Sequence, residues 1–181
     1  MTRPLSDRFV VISGCSGGGK STLLAELARR GHAVVEEPGR RVIAETLAGD
    51  GSALPWIDMQ AFARRAIEVS LRDRTDARRH EGWVFFDRGL IDAALALVHA
   101  SGDPVAELLC REHRYHREVF LTPPWPEIYR QDADRRHDIA SALDEYERLL
   151  AAYPRLGYNV VILPKAPIED RAAFLLERLG A

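Results

Sequence analysis

The 181-residue sequence predicts an α/β fold, in which a five-stranded, mainly parallel sheet is covered by helices on both faces. Short apolar segments rich in Val, Ile and Phe alternate with longer segments that carry apolar residues at helical spacing. The short segments lack regular polar alternation, which is typical of parallel strands buried on both faces. The length suits a single domain over residues 1–181.

Five strands are predicted because each segment is short, apolar and followed by a turn or a helix. They cover residues 9–13, 32–37, 82–87, 117–122 and 158–164. The helices are predicted from apolar residues that recur every three or four positions. They cover residues 20–30, about 40–48, about 55–80, two segments within 90–115, then 135–152 and 168–179.

Local signals set several of these boundaries. In the first helix, Leu23, Leu24 and Leu27 share one face, and Gly31 is a natural stop. Pro55 is suited to the first turn of the long third helix, where its missing N–H is not needed. The final helix follows Pro167 directly.

The order of the strands also predicts where a site should lie. Ligands of open parallel sheets bind beyond the carboxyl ends of the strands. This rule selects residues 14–21, 36–41, 87–89 and the segment after residue 122.

Composition excludes several classes of protein. The formal net charge of −2 disfavours a dedicated nucleic-acid binder, which is usually basic overall. No apolar run approaches the roughly 18 residues of a membrane helix. The two cysteines are too few for a disulfide framework and fit a reducing compartment. We therefore expect a cytoplasmic protein with neither a nucleic-acid nor a membrane partner.

A glycine-rich loop follows the first strand. Gly14, Gly19, Lys20 and Ser21 meet the pattern G-x-x-x-x-G-K-[ST]. Small residues let the backbone N–H groups surround phosphate oxygens, and Lys20 adds a compact charge that an Arg fork would not replace. The hydroxyl of Ser21 is suited to ligate Mg²⁺. We expect the nucleotide-binding residues to be Gly14, Cys15, Ser16, Gly17, Gly18, Gly19, Lys20, Ser21 and Thr22.

Two carboxylates end neighbouring strands of the predicted sheet. Asp87 is expected to reach the Mg²⁺ shell, directly or through water. Glu36 and Glu37 are adjacent, so in a strand only one of them faces the cleft. We expect it to be Glu37, which would accept a proton from a substrate hydroxyl or bind a hydroxyl pair. Glu37 and Asp87 both remain candidates for the base.

Arginines follow both carboxylates. Arg40, Arg41 and Arg88 are candidates for binding substrate anions. Arg130 and Arg135 lie in a polar segment after the fourth strand, where a lid over about residues 124–140 would bring positive charge to a transferring phosphoryl group.

Three aromatic residues have two interpretations. Trp56, Phe62 and Trp125 would line a pocket for a flat ring or belong to the core.

Several motifs resemble those of a known protein group. "GCSGGGKST", "EEP" and "DRG" resemble the nucleoside and nucleotide kinases of the P-loop NTPases. "VVEEPGRRVIAE", "VFFDRGLID" and "FLTPPWP" are similar to AAA-type ATPases related to the kinase domains of nicotinamide riboside kinases. The resemblance implies a three-layer P-loop NTPase fold with a kinase-like helical lid, and ATP and Mg²⁺ as cofactors.

Residues and resemblance together predict the reaction. We expect ATP- and Mg²⁺-dependent phosphoryl transfer to a small hydroxylated metabolite, with nucleoside-like compounds as candidates. The alternative is a regulatory NTPase that hydrolyses ATP or GTP without an acceptor. A guanine-reading Asn-Lys-x-Asp sequence does not occur, which disfavours GTP. The acceptor and the oligomeric state stay open at this point.

Overall fold

The fold was analysed in a computed structural model that describes residues 4–49, 51–128 and 139–181. The five strands are β1 (Phe9–Gly14), β2 (Ala33–Val35), β3 (Val84–Asp87), β4 (Glu118–Thr122) and β5 (Asn159–Ile162). The helices are α1 (Lys20–Arg29), α2 (Pro38–Leu47), α3 (Met59–Asp76), α4 (Leu90–Ser101), α5 (Val105–Glu112), α6 (Ile139–Arg155) and α7 (Ile168–Leu179).

The strands form one parallel sheet in the order β2-β3-β1-β4-β5. β1 lies at the centre, and its residues Phe9 to Ile12 are inaccessible to solvent. Ile12 pairs with Asp87 of β3, and Gly14 pairs with Thr122 of β4. The predicted α/β class and parallel sheet are confirmed, and the carboxyl ends of three central strands meet at one edge.

Helices cover both faces of the sheet, which gives three layers. On one face, Phe9, Val11 and Phe86 pack with residues of α4 and α6 such as Leu90 and Tyr153. On the other face, the core consists mainly of side chains from β1, β3, β4, α1 and α7. These are Val10, Ile12, Phe85, Phe120, Leu23, Leu27 and Leu175. A smaller cluster joins α2, α3 and α4 through Val42, Ala66 and Ala93.

Some predicted boundaries differ from the structure. β2 ends at Val35 rather than at residue 37, because Pro38 is the first residue of α2 and Glu37 immediately precedes that helix. The helix α3 begins at Met59 rather than at Pro55. Its N-cap is Asp58, whose carboxylate accepts a 2.9 Å hydrogen bond from the Ala61 amide.

The segment proposed as a lid is only partly described. Residues 126–128 form a short 3₁₀ turn, and α6 begins at Ile139. The predicted lid arginines, Arg130 and Arg135, lie outside the described residues. No helix in the described ranges has the length and apolar character needed to cross a membrane.

Candidate functional site

The glycine-rich loop joins the buried end of β1 to the first turn of α1. Lys20 is the first residue of α1, and only 7% of its surface is exposed. Its Nζ atom donates a 3.0 Å hydrogen bond to the carbonyl of Cys15, across the loop. Burial, and then the charge of Arg88, lower the pKa of Lys20. The lysine is therefore held inside the loop.

Thr122 at the end of β4 explains the need for glycine at the start of the loop. Gly14 has a φ of +109°, and a Cβ atom there would lie 2.4 Å from the backbone oxygen of Thr122. A Cβ atom on Gly18 would lie 2.7 Å from Oγ1 of the same threonine. The Cys15 amide donates to the Thr122 carbonyl at 3.0 Å. The loop thus packs directly against β4, and sequence reasoning did not single out Thr122.

Asp87 ends β3 next to the loop strand, as the sequence predicts. Its side chain is 7% exposed, and its Oδ1 atom is buried without a hydrogen-bond partner among the described residues. Burial is the main cause that raises the pKa of Asp87 to about 6, and the carboxylate of Glu37 adds to it against the opposing charge of Lys20. Asp87 and Ser21 line one cleft of about 410 Å³.

The donor set of this cleft fits Mg²⁺. Within the described ranges, no cluster of three or more His, Cys, Asp or Glu side chains could cage a metal ion. Mg²⁺ instead binds through one or two protein oxygens and completes its shell with water and phosphate oxygens. The Ser21 hydroxyl and the unpartnered Asp87 oxygen supply that type of ligand.

Arg88 connects three parts of the site. It has a φ of +58°, and its guanidinium donates to both carboxylate oxygens of Glu145 on α6, at 2.6 and 3.0 Å. It also donates to the Gly14 carbonyl at 3.2 Å and lies 3.5 Å from Glu37. Burial alone would raise the pKa of Glu145, but the charge and hydrogen bonds of Arg88 lower it to about 2. Sequence reasoning did not find Glu145, which is 57 residues away.

Glu37 lies within the cleft between two arginines. Arg40 donates to its Oε2 at 3.1 Å, and Arg88 approaches its Oε1. Glu36 is exposed, although it also lines the cleft of Ser21. Arg41 lines that cleft too, and it pairs with Asp73 of α3. The three arginines predicted to bind substrate are therefore at the site, each beside a protein carboxylate.

A buried polar network lies beneath the site and was also missed from the sequence. Asp92 of α4 accepts hydrogen bonds from the Ser13 hydroxyl of β1 and from the Tyr153 hydroxyl of α6, the latter at 2.7 Å. All three side chains are buried. A Ser or Tyr within an apolar segment gives no sequence signal for such a contact.

A second cavity of about 200 Å³ adjoins Glu37 and Arg88. Trp56 and Phe62, two of the three aromatics considered from the sequence, form part of its wall with Met59. Trp125 does not line this cavity. Its ring centre lies 5.6 Å from the guanidinium carbon of Arg171. The cavity combines flat apolar surface with charged groups at one end, as small-molecule sites usually do.

The structure thus gathers Lys20, Ser21, Glu37, Asp87 and Arg88 at the carboxyl edge of the sheet. Arg40 and Arg41 lie on the adjoining turns of α2. The roles assigned to these residues stay predictions.

Comparisons with known proteins show what this chain is similar to. A probable thymidylate kinase from Pyrobaculum calidifontis is 27% identical over 107 residues, which cover 56% of this chain and 55% of the relative. The crystal structure of NadR protein in complex with NR matches with a TM-score of 0.71 and 19% identity, over 96% of this chain and 52% of that one. The chain thus spans about half the length of each.

The structural likeness confirms a P-loop kinase fold. The sequence pattern of one family, described as the AAA domain, matches residues 9–171, which is most of the chain. This protein therefore belongs to the AAA domain family of P-loop, kinase-like NTPases.

Proposed function

We propose that this protein is an enzyme that transfers the terminal phosphoryl group of ATP to a hydroxyl group of a small, nucleoside-like metabolite. One observation carries the proposal. The buried, unpartnered oxygen of Asp87 lies at the phosphate loop, next to a cavity with an aromatic wall and a carboxylate, Glu37, at its charged end. A nucleotide site and an acceptor site then share one edge.

The donor half would be formed by the loop and α1. The loop amides and Lys20 would hold the β- and γ-phosphates, since helix N-terminal N–H groups and a compact cation favour anions. Ser21 and, through water, Asp87 would hold Mg²⁺, which supplies positive charge to the phosphate oxygens. Positioning and charge stabilisation provide most of the catalysis in such reactions.

The acceptor half would be formed by the second cavity. Trp56 and Phe62 offer flat surfaces for a ring, and Glu37 would orient the attacking hydroxyl and accept its proton. Asp87 is the other candidate for that base. Arg40 and Arg88 hold Glu37 from two sides. Arg130 and Arg135 would add positive charge to the transition state.

The test is ADP formation from ATP and Mg²⁺, with and without a panel of nucleosides and sugars. We expect formation of ADP to depend on one class of acceptor and to yield a phosphorylated product. Turnover with GTP in place of ATP would show the choice of donor. Hydrolysis at an equal rate without any acceptor would instead support a regulatory NTPase.

Two lysine variants test the phosphate site itself. K20A should lose at least about 100-fold in turnover and stay folded, because one preorganised charge in a catalytic site contributes roughly this much. Lys165, the other lysine of the chain, is exposed, and K165A serves as the matched control. Undiminished ATP consumption by K20A would overturn the assignment.

A further inference from the structure

Arg171 of α7 is a buried cation that contacts the phosphate loop from behind. It is 2% exposed, and its guanidinium donates to the Gly18 carbonyl at 3.1 Å and to the Gly19 carbonyl at 3.3 Å. Its Nε atom is also buried, without a hydrogen-bond partner among the described residues. The ring of Trp125 covers the guanidinium, with 5.6 Å between the ring centre and the guanidinium carbon.

The two hydrogen bonds hold the Gly18 carbonyl and help to hold the Gly19 carbonyl, which also accepts from the Leu23 amide at 3.3 Å and from the Thr22 hydroxyl at 2.9 Å. In a trans peptide, the C=O and the following N–H point in opposite directions, and the described peptides contain no cis bond. Carbonyls of Gly18 and Gly19 that face Arg171 therefore turn the amides of Gly19 and Lys20 away from it. Neither amide donates a hydrogen bond within the described part of the chain. These are free donors of the kind that phosphate oxygens accept.

The charge of Arg171 is also uncompensated among the residues that the structure describes. Across residues 4–49, 51–128 and 139–181, no carboxylate forms an ion pair with it, and burial lowers its pKa. A buried cation without a counter-ion is unfavourable unless a bound anion balances it. Polyphosphate on the opposite side of the same two peptides would be such an anion.

The close approach is possible because residue 19 is glycine. A Cβ atom there would lie 2.7 Å from Nη1 of Arg171. Gly19 also has a φ of +77°, which a residue with a side chain adopts rarely. The glycine at position 19 therefore leaves the space that Arg171, 152 residues later, occupies.

We propose that Arg171 is a positioning residue for nucleotide binding, which holds the Gly19 and Lys20 amides toward the phosphates and adds a positive charge behind them. This inference rests on the proposed nucleotide site. It assigns to α7 a part in binding the donor, in addition to its packing against α1.

The test compares binding of ATP and of inorganic tripolyphosphate, both with Mg²⁺, by calorimetry on the full chain. R171M should weaken both ligands by the same factor, about tenfold to a hundredfold, because two hydrogen bonds from a charged group are lost. R171K should recover part of the affinity, since the ammonium keeps the positive charge and still donates hydrogen bonds. If R171M fails to fold, R171K alone should still weaken both ligands equally and measurably.

Arg178 supplies the matched control. It lies on the same helix and pairs with Glu118, at the opposite end of β4 from the loop, so R178M should leave both affinities unchanged. Two results would overturn the inference. The first is unchanged affinity in R171M. The second is weaker ATP binding with unchanged tripolyphosphate binding, which would place Arg171 at the adenosine part of ATP rather than at its phosphates. If the wild-type protein binds neither ligand, the proposed function fails and this inference fails with it.

Discussion

Arg88 and Glu145 form a bidentate ion pair between the end of β3 and helix α6, with N–O distances of 2.6 and 3.0 Å. The same guanidinium donates to the Gly14 carbonyl at 3.2 Å. A planar guanidinium matches a carboxylate in this geometry, which gives the pair directional strength. Arg88 therefore connects helix α6 to the first residue of the phosphate loop.

Loss of the charge on Glu145 should destabilise the protein. E145Q should lower the free energy of unfolding by about 2 kcal/mol, because Arg88 would lose the carboxylate that compensates its buried charge. Urea denaturation at pH 7 measures this change. The control is E68Q, because Glu68 forms an exposed ion pair with Arg65 on the same helix. This substitution should lower the free energy of unfolding by less than about 0.5 kcal/mol. Equal losses in both variants would contradict the prediction.

Removal of the Tyr153 hydroxyl should lower the free energy of unfolding. Y153F removes a donor to the buried Asp92, and a hydrogen bond to a charged group contributes roughly 1.5 to 3 kcal/mol. We expect a loss of about that size in thermal or urea unfolding. Tyr146 lies on the same helix and is half-buried, with no hydrogen bond from its hydroxyl in the described structure. Y146F should therefore change the stability little, and a similar loss there would contradict the assignment.

Asp87 should make the stability depend on pH. Its pKa is raised from 3.8 to about 6, mainly by burial, so the unfolded chain releases this proton at lower pH than the folded one. Between about pH 4 and pH 6 the folded state binds more protons, and its stability falls as pH rises. D87N should thus be more stable than wild type at pH 7.

The pH dependence is measured by comparing D87N with the wild-type protein. Urea denaturation of both proteins in EDTA should show the advantage of D87N growing from pH 4 to pH 6 and then levelling. D87N should also lose phosphoryl transfer, because a neutral amide is a poor ligand for Mg²⁺. A pH-independent difference between the two proteins would show that folding does not raise the pKa of Asp87.

Gly14 should tolerate no side chain. In G14A, a Cβ atom would meet the Thr122 backbone at 2.4 Å, in a conformation with positive φ. Strain and overpacking together should cost at least about 3 kcal/mol. Gly31 has a φ of +90° but open space around it, so G31A isolates the cost of the conformation, about 1 kcal/mol. Comparable stabilities of the two variants would exclude the close contact as the cause.

Much of the fold was predictable because its signals are local. Apolar β-branched segments and helical spacing identify the strands and helices, and all five strands occur where the sequence placed them. Boundaries were less accurate at β2 and α3. There the start of a helix depends on which residue precedes it as the N-cap, and these residues are Glu37 for α2 and Asp58 for α3.

The site was predictable where its residues are neighbours in the sequence. The residues from Gly14 to Ser21 form one short loop, so their pattern alone indicates phosphate binding. Asp87 followed from the rule that ligands lie at the carboxyl ends of strands. Glu145, Asp92 and Arg171 did not follow, because an isolated Glu, Asp or Arg on a helix resembles any surface charge.

The sequence by itself therefore determined the parallel α/β sheet and the phosphate loop, since both arise from patterns within a few neighbouring residues. Only the tertiary structure decided which charges meet across the sheet edge. Arg88 and Glu145 are 57 residues apart, and Arg171 reaches a loop 152 residues earlier. Such contacts depend on how helices from distant parts of the chain pack on the two faces of the sheet, and no local pattern encodes that packing.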